Sequence, residues 1–203
     1  MKIAFGFVVV AAGFAGILSF SFLALAIGSE YWYVIEDNRP NHTDIEDSNS
    51  HGGLWGVSDG KSFSTEDPFR YSESVRHMDN MHSVIAVLLP LSLVLLVFGG
   101  ICGLVSSLAR SRVLLTGSAS YFLLCSLLTL SGVSLYISYS QQLLVETEKR
   151  VGAEQMAHVN TSFGWSLGMA WLSFILEVLT GLLLLLASRL AQITQYQESV
   201  API

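Results

Sequence analysis

Charged side chains are scarce in this sequence of 203 residues, because Asp, Glu, Lys and Arg together make up only 13% of it. Ordinary soluble domains carry roughly twice that share. The few charges that are present sum to −6, and an acidic chain has no electrostatic attraction for nucleic acid. These shortages argue against a soluble globular domain and against a nucleic-acid-binding protein.

Cysteines and catalytic motifs are equally sparse. The two cysteines, Cys102 and Cys125, both fall in apolar stretches, where they act as small packing residues, so the hydrophilic segments have none to form a disulfide. The five histidines lack zinc-ligand spacing, and no nucleophile elbow, phosphate loop or dinucleotide fingerprint occurs. We therefore expect no cofactor, no metal site and no enzymatic activity.

Four long apolar stretches dominate what is present. Each exceeds the roughly 20 residues that a helix needs to cross a bilayer. Helices are expected because backbone groups in lipid must pair internally, and short connections favour an up-down-up-down membrane all-α four-helix bundle. A cleaved signal peptide ending near Ala24-Leu25-Ala26 is the alternative for the first stretch, which is too long for one. The predicted spans are Ile3–Gly28, Ser83–Ala109, Val113–Ser140 and Phe163–Ser188.

Basic residues outside the spans predict the orientation. One side of a four-span protein would carry Lys2, Arg110, Arg112 and Arg189. That side is expected to be cytoplasmic, with both termini and a tail at 189–203, in the plasma membrane. The loops at 29–82 and 141–162 are then extracellular. The first of these contains eleven Asp or Glu against four Lys or Arg, so it is not expected to bind anionic lipid.

The first outer loop carries further signals. Asn41 begins an Asn-His-Thr triplet that predicts N-glycosylation. The stretch Asp37–Gly53 is polar and acidic, which predicts a mobile excursion. A small antiparallel sheet is predicted around it, with Asp59-Gly60 as a hairpin turn. Its predicted strands are Tyr31–Ile35, Leu54–Val57 and Ser62–Thr65.

Small residues recur at four-residue spacing within the spans, which lets helix backbones approach closely in lipid. They serve either packing inside the bundle or docking of another protein's helices. The third span is rich in serine instead. The spaced glycines are Gly99, Gly103, Gly164 and Gly168, and the serines are Ser118, Ser120, Ser126, Ser131, Ser134 and Ser138.

Glu177 stands near the middle of the fourth span, where a charge costs roughly 2.5–3.5 kcal/mol on insertion scales. The carboxyl should therefore face protein. Ser173 and Thr180 lie one turn away, and serines of the third span could donate hydrogen bonds to it. A clasp inside the bundle and a contact with a partner's helix are both open interpretations, and a single acid makes an ion path improbable.

Four motifs in order resemble the claudin-like superfamily of four-span membrane proteins. They are Gly28-Ser29-Glu30-Tyr31-Trp32, Gly53-Leu54-Trp55, Tyr136-Ile137-Ser138, and Gly164-Trp165-Ser166 followed by Glu177. The chain is more similar to the branch of calcium-channel gamma subunits and AMPA-receptor regulatory proteins, in particular the transmembrane protein 114 and 235 type, than to true claudins. The resemblance covers nearly the whole chain.

This resemblance implies a four-helix bundle capped by a small extracellular antiparallel β-sheet. It assigns Trp32, Gly53, Leu54 and Trp55 to the superfamily signature. The family's disulfide is missing, since Ser58 stands at the place of the first cysteine and Ser62 or Ser64 near the second. Natural loss of the bridge and engineered replacement of the cysteines by serine are both open explanations. Loss of such a bridge costs about 2–5 kcal/mol in small secreted domains, so a softer cap is expected.

Three functions remain open at this stage. The first is an auxiliary, gamma-type subunit that binds a larger ion channel or receptor through the third and fourth spans and alters its gating or trafficking. The second is a claudin-like adhesion or barrier protein that associates with copies of itself. The third is a trafficking factor of internal membranes. In all three cases the protein is expected to contact membrane lipid.

Overall fold

The computed structural model describes residues 2–37, 50–55, 57–58, 73–151 and 159–200. In these ranges the chain forms four long helices and four short strands. The helices are α1 (Lys2–Gly28), α2 (Glu73–Ala109), α3 (Arg112–Val151) and α4 (Trp165–Val200), and the strands are β1 (Tyr33–Asp37), β2 (Ser50–Gly52), β3 (Val57–Ser58) and β4 (Val159–Phe163).

All four helices are long and apolar enough to cross a membrane. Large apolar side chains cover their outward faces, and Ile3 and Leu108 are 90% and 84% exposed. So much contiguous apolar surface would aggregate in water, whereas lipid solvates it. By length and composition, the candidate spans are Ile3–Gly28, His82–Ala109, Arg112–Gln142 and Trp165–Gln197.

The helices pack in a ring in which one contact is weaker. α4 packs along both α1 and α3, and α3 packs along α2, while α1 and α2 touch over a shorter length. Two apolar clusters fill the centre. One lies near the strands and includes Leu23, Leu89 and Val133. The other lies at the opposite end and includes Leu96 and Phe122.

The strands form one antiparallel sheet in the order β3-β2-β1-β4. β1 follows α1 after four residues, and β4 leads into α4, with Tyr33 paired to Phe163 and Asp37 to Val159. On its other side β1 pairs with β2, Val34 opposite His51. The sheet thus joins the α1–α2 connection to the α3–α4 connection.

The opposite end of the bundle is closed by a two-residue turn between α2 and α3. Arg110 adopts a left-handed conformation with φ 49°, which ends α2. The Leu115 N–H donates to the Ser111 carbonyl at 3.0 Å and starts α3. The Arg110 guanidinium lies 6.0 Å from the centre of the Phe5 ring, and Ser188 Oγ donates to the Arg112 carbonyl at 3.4 Å. These contacts bring the start of α1, the turn and the later part of α4 together.

Three of the helices extend beyond the predicted membrane spans. α2 begins well before residue 83, α3 continues past residue 140, and α4 extends to Val200, into the segment predicted as the tail. Phe163, predicted to open the fourth span, is the last residue of β4. Hydropathy detects only the part of a helix that lipid can solvate, and a nucleated helix gains a hydrogen bond with each polar residue it adds.

The strands differ as well. β2 lies at Ser50–Gly52, inside the stretch predicted to be a mobile excursion. β4 comes from the second loop, for which no strand was predicted. The turn at Asp59-Gly60 and the strand at Ser62–Thr65 lie outside the described residues.

Candidate functional site

Glu177 lies at the centre of a polar layer that separates the two apolar clusters. Its carboxyl is fully buried. Thr129 Oγ1 on α3 lies 3.0 Å from both carboxyl oxygens, and Ser173 Oγ on α4 donates to Oε1 at 3.3 Å. The expectation that this acid faces protein is met, but the donor on the third span is a threonine rather than one of the serines.

Further hydroxyls extend this contact to the other two helices. Ser92 Oγ on α2 lies 2.6 Å from Thr129 Oγ1. Thr129 has a single proton, so when it donates to the carboxylate, Ser92 donates to Thr129. On the far side, Ser19 Oγ on α1 lies 3.0 Å from Ser173 Oγ and 3.1 Å from the Ser173 carbonyl. One hydrogen-bonded chain therefore crosses all four helices.

The polar layer fixes the helices in register. In the described part of the chain, no buried side-chain oxygen or nitrogen lacks a partner. Each polar group meets its partner only if the four helices stand at the correct height. Hydrogen bonds between membrane helices contribute about 0.6 kcal/mol on average and up to roughly 1.7 kcal/mol. The groups that contact the carboxyl are hydroxyls, which suits a structural clasp better than proton exchange between acids.

Replacement of Glu177 tests this clasp. In Glu177→Gln the amide oxygen still accepts from Thr129, so stability should stay close to that of the parent. In Glu177→Leu that acceptor is lost, and Thr129 retains Ser92 Oγ at 2.6 Å and the Cys125 carbonyl at 3.3 Å. We expect a loss of about 1–2 kcal/mol for Glu177→Leu, measured by unfolding in mixed micelles.

A double-mutant cycle with Thr129→Val provides the control for this prediction. If the clasp is real, Glu177→Leu should cost much less in the Thr129→Val background than in the parent. Ser131→Ala serves as a matched loss of a hydroxyl elsewhere, since Ser131 Oγ bonds only within its own helix, to the Leu127 carbonyl. Equal stability of Glu177→Leu and Glu177→Gln would show that the clasp does not stabilise the bundle.

Trp32 closes the core at the sheet end. It is 0% exposed, and its indole N–H donates to the Ala26 carbonyl at 2.7 Å. Its ring centre lies 4.7 Å from that of Tyr136 on α3. Trp32 thus satisfies one of the carbonyls left open at the end of α1 and packs α1 against α3.

The second signature motif lies against the same helix end. Leu54 is fully buried in the cluster with Trp32. Trp55 is 64% exposed, yet its indole N–H donates to the Ile27 carbonyl at 3.0 Å. A Cβ on Gly53 would come within 2.9 Å of the Glu30 Cα. The signature residues therefore hold the segment 50–55 onto the last turn of α1.

Gly164 lies where β4 turns into α4 and contacts the backbone that follows α1. Its N–H donates to the Trp32 carbonyl at 3.0 Å, and a Cβ there would overlap the Tyr31 carbonyl. Ser166 Oγ lies 2.6 Å from Ser29 Oγ. This glycine therefore permits a backbone crossing rather than a contact between helices.

The other spaced glycines divide into two kinds. A Cβ on Gly99 would lie 2.9 Å from the Tyr121 ring, and one on Gly103 would lie 3.6 Å from the Phe122 ring, so both face α3. Gly168 is exposed, and a Cβ there would meet nothing within 4 Å. Gly132 and Gly181, which the spacing rule missed, also lie in close contacts, with Leu89 and Leu123.

The outward face of α3 differs in composition from the other outward faces. One stripe of exposed residues on α3 follows alternating spacings of four and three residues. Four of its six members are serines, and the stripe consists of Ser120, Leu124, Leu127, Ser131, Ser134 and Ser138. The corresponding stripe on α1 is formed by Ile3, Phe7, Val10, Phe14 and Ile17. Lipid tails gain nothing from a serine hydroxyl, whereas a neighbouring helix gains close approach and hydrogen bonds. We call these six residues the α3 serine face.

Some predicted positions are not described. Asn41, Ser62 and Ser64 lie outside the described residues. The glycosylation of Asn41 and the softer cap expected without the disulfide therefore remain predictions. Ser58 lies in β3, paired with His51. Among the described residues, no group of three potential metal ligands occurs.

The chain matches a known protein family. The family described as PMP-22/EMP/MP20/Claudin tight junction matches residues 17–186, most of the chain. The matched stretch begins within α1 and ends within α4, and it contains all four motifs. It confirms the resemblance at the level of the claudin-like superfamily.

Proposed function

Because this chain belongs to the PMP-22/EMP/MP20/claudin family, it is a non-enzymatic multi-pass membrane protein, and we propose that it is an auxiliary subunit of an ion channel. In this proposal it has the gamma-type role of altering the channel's gating or trafficking. The order of its motifs and the acid in its fourth span support placing it in the gamma-subunit and AMPA-receptor regulatory branch. The α3 serine face is the observation on which the proposed function rests.

The proposed docking surface follows from the fact that lipid, and not water, surrounds the helices. In lipid, apolar side chains on α1 and α2 gain little by leaving the bilayer for another helix. The α3 serine face gains more, because small residues let a partner's backbone come close and their hydroxyls can then find partners. The carboxyl of Glu177 is already hydrogen-bonded within the polar layer, so it stabilises the bundle. The partner contact then lies on the outward surface of the bundle.

The orientation is part of the proposal. The basic residues Lys2, Arg110, Arg112 and Arg189 belong to the end of the bundle where the α2–α3 turn meets the start of α1 and the later part of α4. The positive-inside rule then puts that end in the cytoplasm and the sheet outside the cell. Both termini are then inside the cell, and the proposed membrane is the plasma membrane.

Leucine substitutions on the α3 serine face test the docking. Ser131→Leu combined with Ser138→Leu adds bulk where a partner helix should lie, without touching the core. When the protein is co-expressed with a candidate channel, we expect its copurification in mild detergent to fall at least about fivefold, equivalent to roughly 1 kcal/mol. Its effect on the channel's current should fall with it. Gly6→Leu is the matched control, since it adds bulk on the exposed face of α1, where a Cβ meets nothing within 4 Å.

A claudin-like adhesion role is the second candidate, and the family description, which includes the tight junction, favours it. That role predicts copies of the chain on the same or facing cells rather than a channel. Mass spectrometry of the purified assembly separates the two. Recovery of the chain alone as a self-associated species, with no channel subunit and no change in current, would replace the subunit proposal with the adhesion role.

A further inference from the structure

A cleft opens on the lipid-facing side of the bundle where α1 and α2 fail to pack closely. Its volume is about 370 Å³. Glycines line both walls, Gly13 on α1 and Gly100 on α2, and a Cβ on either would meet nothing within 4 Å. Phe122 of α3 and Leu184 of α4 form part of its floor. These glycines therefore leave space open, unlike Gly99, which is filled by its neighbours.

The lining is almost entirely apolar. Ser107 and Thr180 provide its hydroxyls, and each bonds to a carbonyl of its own helix, Ser107 to Gly103 at 2.7 Å and Thr180 to Leu176 at 2.8 Å. No lining group is left to recognise a polar ligand inside the cleft. Its occupant must be a hydrocarbon.

The dimensions of the cleft select one kind of hydrocarbon. Along α1 it extends from Val9 to Phe20, a rise of about 16 Å, which is roughly half of the bilayer core. Along α2 it extends over the same length, from Leu96 to Ser107. Its volume of about 370 Å³ over this length is too small for a helix, which is about 10–12 Å across. The cleft suits one alkyl chain that reaches from one membrane surface to the bilayer centre.

A cation stands at the surface end of the cleft. Ser107 is one turn before Arg110, and the backbone N–H of Arg110 donates to the Ser107 carbonyl at 3.4 Å. On the other wall, Val9 is one turn after Phe5, and the Arg110 guanidinium lies over the Phe5 ring. Arg110 is exposed, and Arg112 adds a second positive charge at the same turn. This charge complements a phosphate group placed at the mouth of the cleft.

We propose that the cleft between α1 and α2 binds one acyl chain of an anionic glycerophospholipid, with Arg110 at its headgroup. The acidic outer loop is not involved, because the cleft lies in the half of the bundle next to the opposite, basic end. The inference rests on the proposed membrane placement of the chain and not on the proposed channel partner.

Native mass spectrometry of the full chain in mild detergent tests the proposal. The probes are dioleoyl phosphatidylserine and dioleoyl phosphatidylcholine, which share their acyl chains and differ in headgroup charge. We expect phosphatidylserine to bind about fivefold more tightly, the factor expected of one basic side chain near an anionic lipid. Arg110→Gln should reduce that preference, and Arg110→Gln combined with Arg112→Gln should abolish it, while phosphatidylcholine binds as before.

Filling the cleft tests the position of the acyl chain. Gly100→Leu and, on the opposite wall, Gly13→Leu should each lower the binding of both lipids several-fold. Gly117→Leu is the matched control, since a Cβ there also meets nothing within 4 Å and the residue does not line the cleft. A cooperative thermal unfolding transition shows that each variant is folded. Gly100→Leu is expected to fold, because leucine is a better helix former than the glycine that it replaces.

The outcomes are distinct. Unchanged lipid binding in both Gly100→Leu and Gly13→Leu would overturn the proposal, as would equal losses in Gly117→Leu. Equal binding of the two lipids by the parent protein would overturn the role of Arg110. Failure of the channel proposal would appear instead in the variants of the α3 serine face, which should bind both lipids like the parent.

Discussion

Gly164→Ala should prevent the protein from folding stably. A methyl group at this position would overlap the Tyr31 carbonyl, so the obstacle is backbone and cannot be relieved by changing a rotamer. The crossing also carries the hydrogen bonds that join the start of α4 to the end of α1. We expect a loss of more than about 4 kcal/mol, in the range reserved for severe steric conflicts. Fluorescence-detected size-exclusion chromatography in detergent would show it as loss of the monodisperse peak.

Gly168→Ala is the control for this substitution. It lies one turn further along α4, where a Cβ meets nothing within 4 Å. Alanine is the better helix former by about 1 kcal/mol, so the melting temperature should stay the same or rise slightly. A Gly164→Ala protein that melts like the Gly168→Ala protein would show that the two backbones do not cross as closely as described.

Trp32→Ala should have the second-largest effect. It removes a fully buried indole from the centre of the cluster at the sheet end, and buried Trp-to-Ala changes cost about 3–5 kcal/mol. The Ala26 carbonyl also loses its indole donor and keeps the Ser29 hydroxyl, 3.2 Å away. Trp32→Phe should fall between parent and alanine, because it keeps most of the ring and loses the N–H. Chemical unfolding in mixed micelles measures the difference.

Trp55→Ala separates burial from hydrogen bonding. Trp55 also donates to a carbonyl at the end of α1, but it is 64% exposed. Its loss should cost only about 1 kcal/mol, the usual net value of one hydrogen bond. Similar losses for Trp55→Ala and Trp32→Ala would mean that the indole donors, rather than the packing around Trp32, hold the cap.

The sequence predicts the helices and the special position of Glu177 well, because both depend on local chemistry. A run without charges signals a span, and one acid within it must face protein. Ser173 is found beside the carboxyl as expected, whereas Thr180 bonds within its own helix. Thr129 was missed because its neighbours in sequence are apolar. Its role depends on which face of α3 turns toward α4.

Long-range pairing explains the other differences. β4 is recognisable as a strand only through its partner β1, which lies more than a hundred residues away. The same holds for the cleft, since nothing in the sequence around Gly13 or Gly100 tells a glycine that leaves space open from one that lies in a close helix contact. Only the weak packing of α1 on α2 leaves them unfilled. Outward serines likewise cannot be told from inward ones until the helices are placed.

The contacts between the first and last elements have a mechanical consequence. α1 packs along α4, and β1 pairs with β4, so the same two segments are joined in the bilayer and in the sheet. A lateral pull on the sheet would therefore act on α1 and α4 together. α2, which holds α1 only loosely, would lag behind, and the seam between α1 and α2 would widen or narrow with every such pull.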